Sequence, residues 1–128
     1  MDPVERNPTA AILIVGNELL SGRVRDENLA RLAAALWERG VAVRRAVFLP
    51  DEVEEIAREV AAAAGSHDWV VTTGGIGPTH DDVTMEGVAR AFGVPLVRHP
   101  GMEAAIRRTF GEGTTDVHLR MALAPEGA

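Results

Sequence analysis

The sequence predicts an α/β domain with a mainly parallel sheet. Three observations carry this. Short apolar runs alternate with segments of helical period in the order β-α-β-α-β-α. The first run, Ala10–Val15, is apolar at every position, as expected of a strand covered on both faces. The third, Trp69–Thr73, runs straight into Gly74-Gly75-Ile76-Gly77-Pro78-Thr79-His80-Asp81-Asp82-Val83-Thr84, a glycine-rich turn followed by a helical pattern. With 128 residues, 46% of them hydrophobic and 25% charged, one domain can bury a core without disulfides.

Each element follows in order. Residues 1–9 read as a disordered lead-in with two prolines, and the domain is expected over 10–128. After the first strand Gly16 stops the apolar run, and 17–27 is a polar loop of functional length. Asn28 is placed to cap a helix whose stripe is Leu29, Leu32, Ala33 and Leu36, with Gly40 past its end. Val41, Val43, Val47 and Leu49 mark a second strand closed by Pro50. Asp51 is placed as the next cap, with Glu54 in the capping-box position and Val53, Ile56, Ala57, Val60 and Ala64 as the stripe. A turn is expected at 65–68. Thr84 is placed to cap a helix with Met85, Val88, Ala89 and Phe92 on one face and Gly93 at its end. A short extended piece at 95–97, a helix over 101–110 and a flexible break at 111–115 follow, and 117–124 is open between helix and strand. Trp37 and Trp69 fall in patterned elements and are expected in the core or half-buried.

Composition excludes several functions. The net charge is −6 and basic residues occur only as pairs such as Arg44-Arg45 and Arg107-Arg108, so no nucleic-acid track is expected. No cysteine is present, which excludes thiolate nucleophiles and zinc–thiolate sites. Neither a signal peptide nor an apolar run of membrane length is seen, so no membrane contact and a cytoplasmic location are expected.

Right-handed crossovers bring the strand C-terminal ends to one edge, where open α/β sheets bind ligands. Three stretches rich in special residues meet there: Gly16-Asn17-Glu18, Pro50-Asp51 and 74–84. Gly74, Gly75 and Gly77 can expose amides, and with the helix start near Thr84 they form a candidate anion site. The loop matches neither a P-loop nor a dinucleotide fingerprint. Asp81 and Asp82 stand beside it, although a carboxylate 4 Å from a phosphate is repelled by roughly 4 kcal/mol per charge pair. Either Mg²⁺ bridges the two or an Asp accepts a hydrogen bond from the ligand. Asp51 and Glu18 lie on the same edge, and His80 is a candidate acid or base.

Thr72–Thr84 resembles the signature loop of the MoaB/Mog molybdopterin-binding domain family. Gly16-Asn17-Glu18-Leu19-Leu20-Ser21-Gly22, then Asp26-Glu27-Asn28, and Pro50-Asp51-Glu52 resemble one branch of it. That branch is the N-terminal domain of competence/damage-inducible protein A and the related domain of eukaryotic FAD synthases. The resemblance covers about residues 10–125. It implies a three-layer α/β/α sandwich, a molybdopterin or adenine-nucleotide ligand, a role in molybdenum cofactor biosynthesis, and a homo-oligomer, dimer or trimer. It implies catalytic roles for Asp51 and Asp82. Ligand contacts are implied for Gly16, Asn17, Glu18, Ser21, Gly74, Gly75, Gly77, Pro78, Thr79 and Thr84. Mg²⁺ would be held by Asp82, Asp51 and Glu18. Relatives of competence/damage-inducible protein A imply an alternative, Mg²⁺-dependent ADP-ribose pyrophosphatase activity. A non-catalytic oligomerising module is a third reading. Two departures stand out. The family's domain continues past a segment like Pro125-Glu126-Gly127-Ala128 into a further strand and loop, and the Mog type has Ser-Asp where this chain has Asn17-Glu18.

Overall fold

The computed structural model describes residues 6–128. Part of the expected lead-in, residues 1–5, lies outside the described residues, and Thr9 already belongs to the first strand, β1 (Thr9–Val15). β1 is the middle of a three-stranded parallel sheet in the order β2-β1-β3, flanked by β2 (Ala42–Leu49) and β3 (Trp69–Thr73). Its apolar run is explained by that position: Ala10 to Val15 are at most 1% exposed. The register runs from Thr9 opposite Ala42 to Val15 opposite Leu49, with an irregularity between Ala10 and Ala11. On the other side Ala10 faces Trp69 and Ile14 faces Thr73.

The strand order dictates the layers. From β1 the chain steps to β2 through helices α1 (Asn17–Leu20) and α2 (Asn28–Glu38). It then crosses back over β1 to β3 through α3 (Val53–Ser66). Two right-handed crossovers in opposite directions place α2 and α3 on opposite faces. On the α3 face Leu13, Val15 and Leu49 pack with Ile56 and Val60. Ile12 and Ile14, which alternate with them, are buried on the other face. Helix α4 (Thr84–Ala91) packs on α3, and Arg90 of α4 pairs with Glu54 of α3.

A second unit follows. The short strands β4 (Leu96–Arg98) and β5 (Leu123–Pro125) pair antiparallel. Between them lie α5 (Pro100–Phe110), α6 (Asp116–Leu119) and 3-10 turns at Gly111–Gly113 and Arg120–Ala122. His99 caps α5 by accepting the Met102 amide, and Thr115 and His118 form a reciprocal capping box on α6.

Several local expectations are corrected. Asn28 does not cap α2; the carboxylate of Asp26 accepts the amides of Asn28 and Leu29 instead. Helix α3 begins after Glu52 without a side-chain cap, so neither Asp51 nor Glu54 plays the expected capping part. Thr84 lies inside α4, after Val83, with its hydroxyl turned to Gly74. The expected turn at 65–68 starts late, because α3 runs through Ser66. Trp37 and Trp69 are not buried: they are 76% and 60% exposed.

At the sheet's N-terminal edge Asp68 accepts the Thr9 amide at 2.8 Å and the Thr9 hydroxyl at 3.2 Å. These bonds, with the charge of Arg6, hold its carboxyl below the usual carboxylate range. That edge is a structural tie. The chemistry-bearing residues lie at the other end.

Candidate functional site

Connections from β1 and β3 leave the sheet in different directions, so the C-terminal ends of these neighbouring strands flank an open crevice. Its walls are the β1 loop, from Glu18 to Asn28, and the end of β3 at Thr73-Gly74. Its volume is about 280 Å³, and Glu18, Arg25, Asp26 and Glu27 contribute its charge.

The glycine loop is shaped mainly from within. Gly74 has φ +86°, and a Cβ there would overlap the carbonyl oxygen of Val15. Gly75 has φ +66°, and a Cβ would overlap the Thr84 hydroxyl. That hydroxyl is completely buried and donates to the Gly74 carbonyl at 2.8 Å. The Thr84 amide donates to the Gly75 carbonyl at 3.1 Å. The glycines therefore let the loop pack on its own neighbours, and the Thr84 hydroxyl is committed to holding it. Asp82 completes the brace. Its Oδ2 accepts the Thr79 hydroxyl at 2.8 Å and the Thr79 amide at 3.1 Å. Partial burial pushes the Asp82 carboxyl up, but the Thr79 hydroxyl and the amides of Thr79 and Gly77 outweigh it and hold the group below the usual carboxylate range. Among the described residues, the amides of Gly75 and Ile76 donate to no protein group. They are the loop's open anion-binding capacity.

The β1 loop turns on its own backbone, with the Ser21 amide on the Asn17 carbonyl and the Arg23 and Val24 amides on the Glu18 carbonyl, and side-chain bonds tie it to its neighbours. The Asn17 amide donates to Asp51 Oδ2 at 3.1 Å, and the Asp51 amide donates to Asn17 Oδ1 at 3.0 Å. This reciprocal pair ties the end of β1 to the end of β2, beside the Gly16 amide that donates to the Leu49 carbonyl. Asn28 reaches the other way, its Nδ2 donating to Thr73 Oγ1 at 2.9 Å. Ser21 is exposed, its hydroxyl donating to the Glu18 carbonyl.

The three loops singled out in the sequence thus meet at one edge, and Asp51 and Asp82 both serve as braces there. Glu18 remains exposed beside Gly16. Among the described residues no three Asp, Glu or His side chains gather as a metal site, so Glu18, Asp51 and Asp82 do not form a cluster. His80 is exposed, with its Nε2 3.4 Å from Asp81 Oδ1. Pro78 is half-buried in the same loop.

Sequence reasoning missed two features. The Asn28–Thr73 tie could have been sought once both residues were placed at the same edge. The second is a chamber of about 520 Å³ on the far side of the glycine loop, between that loop and the α5–β5 unit. Its walls come from segments too distant in sequence for any spacing to signal.

No helix among the described residues is long and apolar enough to cross a membrane. A protein of Aeropyrum pernix is 48% identical over 128 residues, covering 98% of this chain and 48% of its own length. A probable FAD synthase of Caenorhabditis elegans is 49% identical over 84 residues, covering 66% of this chain and 16% of its own. The chain therefore spans about half of the first relative and a small part of the second. Among solved structures, the protein CinA of Thermoplasma acidophilum, described as of unknown function, superposes with a TM-score of 0.85 at 36% identity, over 92% of this chain and 71% of that one. The molybdopterin biosynthesis enzyme MoaB of Thermus thermophilus superposes with a TM-score of 0.64 at 21% identity, over 91% and 72%, and shares the α/β fold. The family model described as "Probable molybdopterin binding domain" matches residues 11–125, which span β1 through β5 and every loop of the candidate site. The chain is a member of this MoaB/Mog-type molybdopterin-binding domain family, of the kind found in CinA and FAD synthases.

Proposed function

We propose that this domain binds a phosphorylated pterin or an adenine nucleotide at the C-terminal edge of its sheet, in the setting of molybdenum cofactor biosynthesis. One observation carries the reading: a glycine loop braced in shape before any ligand arrives, with the amides of Gly75 and Ile76 left free. Preorganised amides need no reorganisation to receive a phosphate, and in a chain of net charge −6 they supply the attraction locally. Gly74, Gly77, Pro78 and Thr79 hold the loop's course, Asp82 braces it, and Asn17 with Asp51 set the opposite wall. Gly16, Glu18 and Ser21 form the rim beside the crevice, and Thr84 acts from beneath.

The side chains do not fit a resident Mg²⁺ site, since the three acids are not gathered and one oxygen each of Asp51 and Asp82 is already committed. A metal would have to enter with the phosphates of its ligand. This favours a binding role over ADP-ribose pyrophosphatase chemistry. Titration calorimetry with molybdopterin, ATP and ADP-ribose, each with and without Mg²⁺, tests the proposal. Saturable binding of at least one is expected, and heat from none of them rejects it. Light scattering on the same samples reads whether the domain self-associates.

A further inference from the structure

Helix α2 carries an apolar flank that the described residues leave uncovered. Ala30, Ala33, Ala34 and Trp37 follow one another at i, i+3, i+4 and i+7, so they share one side of the helix. No residue of α2 is fully buried, and Trp37 stands almost free of the fold. At the N-terminal end of the same flank lies a hollow of about 730 Å³. Its apolar walls are Leu19 and Val24 of the β1 loop, Leu29 and Ala30 of α2, and Phe48 of β2. Val24 and Phe48 are exposed there, 51% and 40%. Because Ala30 and Phe48 share this hollow, the flank looks toward β2, the outer strand of the three. Trp37 comes seven residues after Ala30, about 10 Å along the helix. A large apolar knob and a large apolar hole thus lie on one flank, a short distance apart.

We propose that this flank docks a second copy of the chain about a twofold axis, with the two α2 helices antiparallel and Trp37 of each copy seated in the Leu19–Val24–Phe48 hollow of the other. An axis between Ala33 and Ala34 maps Trp37 onto Ala30, which lines the hollow, so one contact is made twice and the assembly closes at two. Alanines at the axis let the helices approach closely. Charge agrees with this direction. Arg25 stands on the rim of the hollow and Glu38 follows Trp37, and neither has an ion pair among the described residues. Antiparallel docking brings each Arg25 toward the Glu38 of the other copy. Parallel docking sets Trp37 against Trp37 and leaves both hollows empty. A tryptophan carries roughly 150–250 Å² of surface, and with Val24 and Phe48 it supplies the apolar centre around which a standard interface of roughly 800 Å² per partner forms. A small molecule in the hollow would leave Trp37 in water, whereas a second copy uses both. The hollow also shares a wall with the crevice, since Leu19, Val24, Arg25 and Asp26 line both. The indole of the second copy therefore backs the loop whose Arg23 and Val24 amides donate to the Glu18 carbonyl.

The test is sedimentation equilibrium from nanomolar to hundreds of micromolar protein, with no ligand added. A monomer–dimer equilibrium is expected. In a Trp69→Phe background Trp37 is the sole indole; it emits as a solvated indole in dilute protein, and its emission should move to shorter wavelength as the dimer forms. Trp37→Ala should weaken association at least about thirtyfold, with the circular dichroism of the monomer unchanged. Arg25→Glu and Glu38→Arg should each weaken it, and the two together should restore it, which a merely misfolded variant would not do. Exchange of the Val24 amide should slow as the dimer forms. A chain that stays monomeric throughout, a trimer, or a dimer that forms equally well with Trp37→Ala would overturn the proposal. A Val24 amide indifferent to concentration would remove the indole from the hollow.

Discussion

The two loops that frame the crevice differ in where their side-chain ties go. The glycine loop is held mainly from within: Thr79 to Asp82, Thr84 to Gly74, and two left-handed glycines packed against backbone and hydroxyl. The β1 loop turns on its own backbone, with the Arg23 and Val24 amides on the Glu18 carbonyl, but its side chains also reach outside, Asn17 and Asp51 of the β2 loop pairing and Asn28 donating to Thr73 of β3. A self-braced loop keeps its shape when its neighbours change, and it fails sharply when its own packing is violated. A loop tied to neighbours loosens by degrees. The difference suits an anion cradle facing a wall that adapts to whatever the ligand carries.

The largest effect should come from Gly74→Ala. A non-glycine residue in the left-handed region costs about 1–2 kcal/mol, and overlap with the Val15 carbonyl, which is backbone and cannot swing away, adds about 1–3 kcal/mol. A loss of about 3 kcal/mol, or roughly 10 °C in Tm, is expected by thermal unfolding. A loss below about 1 kcal/mol would show that the loop is softer than its packing implies.

Gly75→Ala should cost less, because the obstacle is the Thr84 hydroxyl, part of a side chain. Thr84→Ala alone leaves the Gly74 carbonyl without its donor. The double variant should be more stable than the sum of the two losses predicts, by about 1 kcal/mol. Strict additivity would mean that the two groups do not press on each other.

Asp82→Asn should destabilise the loop by about 1 kcal/mol at neutral pH by weakening the bonds from Thr79. The sign of its pH dependence follows from the lowered carboxyl. A group whose pKa falls on folding stabilises the fold fully above its unfolded value of about 4 and loses that contribution as pH drops through the folded value. The gap between wild type and Asp82→Asn should therefore close in acid, as read by hydrogen exchange of the Thr79 amide. A gap that stays constant down to about pH 2 would reject the brace.

The smallest effect belongs to the β1 loop. Asn17→Ala and Asp51→Ala should each cost about 0.5–1 kcal/mol and add nearly independently in a double-mutant cycle, because each removes its own side-chain bond to the other's backbone amide at a solvent-exposed site. A coupling as large as that of the glycine loop would erase the contrast.

The course of the sheet was legible because its signals are local. An unbroken apolar run marks a central strand, and glycines after strands mark turns, so β1, β3 and the edge that holds the loops followed from Ala10–Val15, Trp69–Thr73 and the stretch from Gly74. The candidate loops were legible for the same reason. What holds them was not. Asp26 displaced Asn28 as the cap of α2, and Asp51 left its expected cap to meet Asn17, because a carboxylate or amide can serve any donor that folding brings near. The pairing of β4 with β5 joins two three-residue strands separated by α5 and α6, too short for periodicity to register. The chamber on the far side of the glycine loop depends on that pairing and was hidden with it.

The two tryptophans have a practical consequence. Trp37 and Trp69 already stand largely in water in the folded chain. Their emission should lie near that of a solvated indole before any denaturant is added, and it should shift little as the protein unfolds. A flat fluorescence trace would then be the signature of exposed indoles in an intact fold, and unfolding of this domain should be followed by circular dichroism, where the helices report.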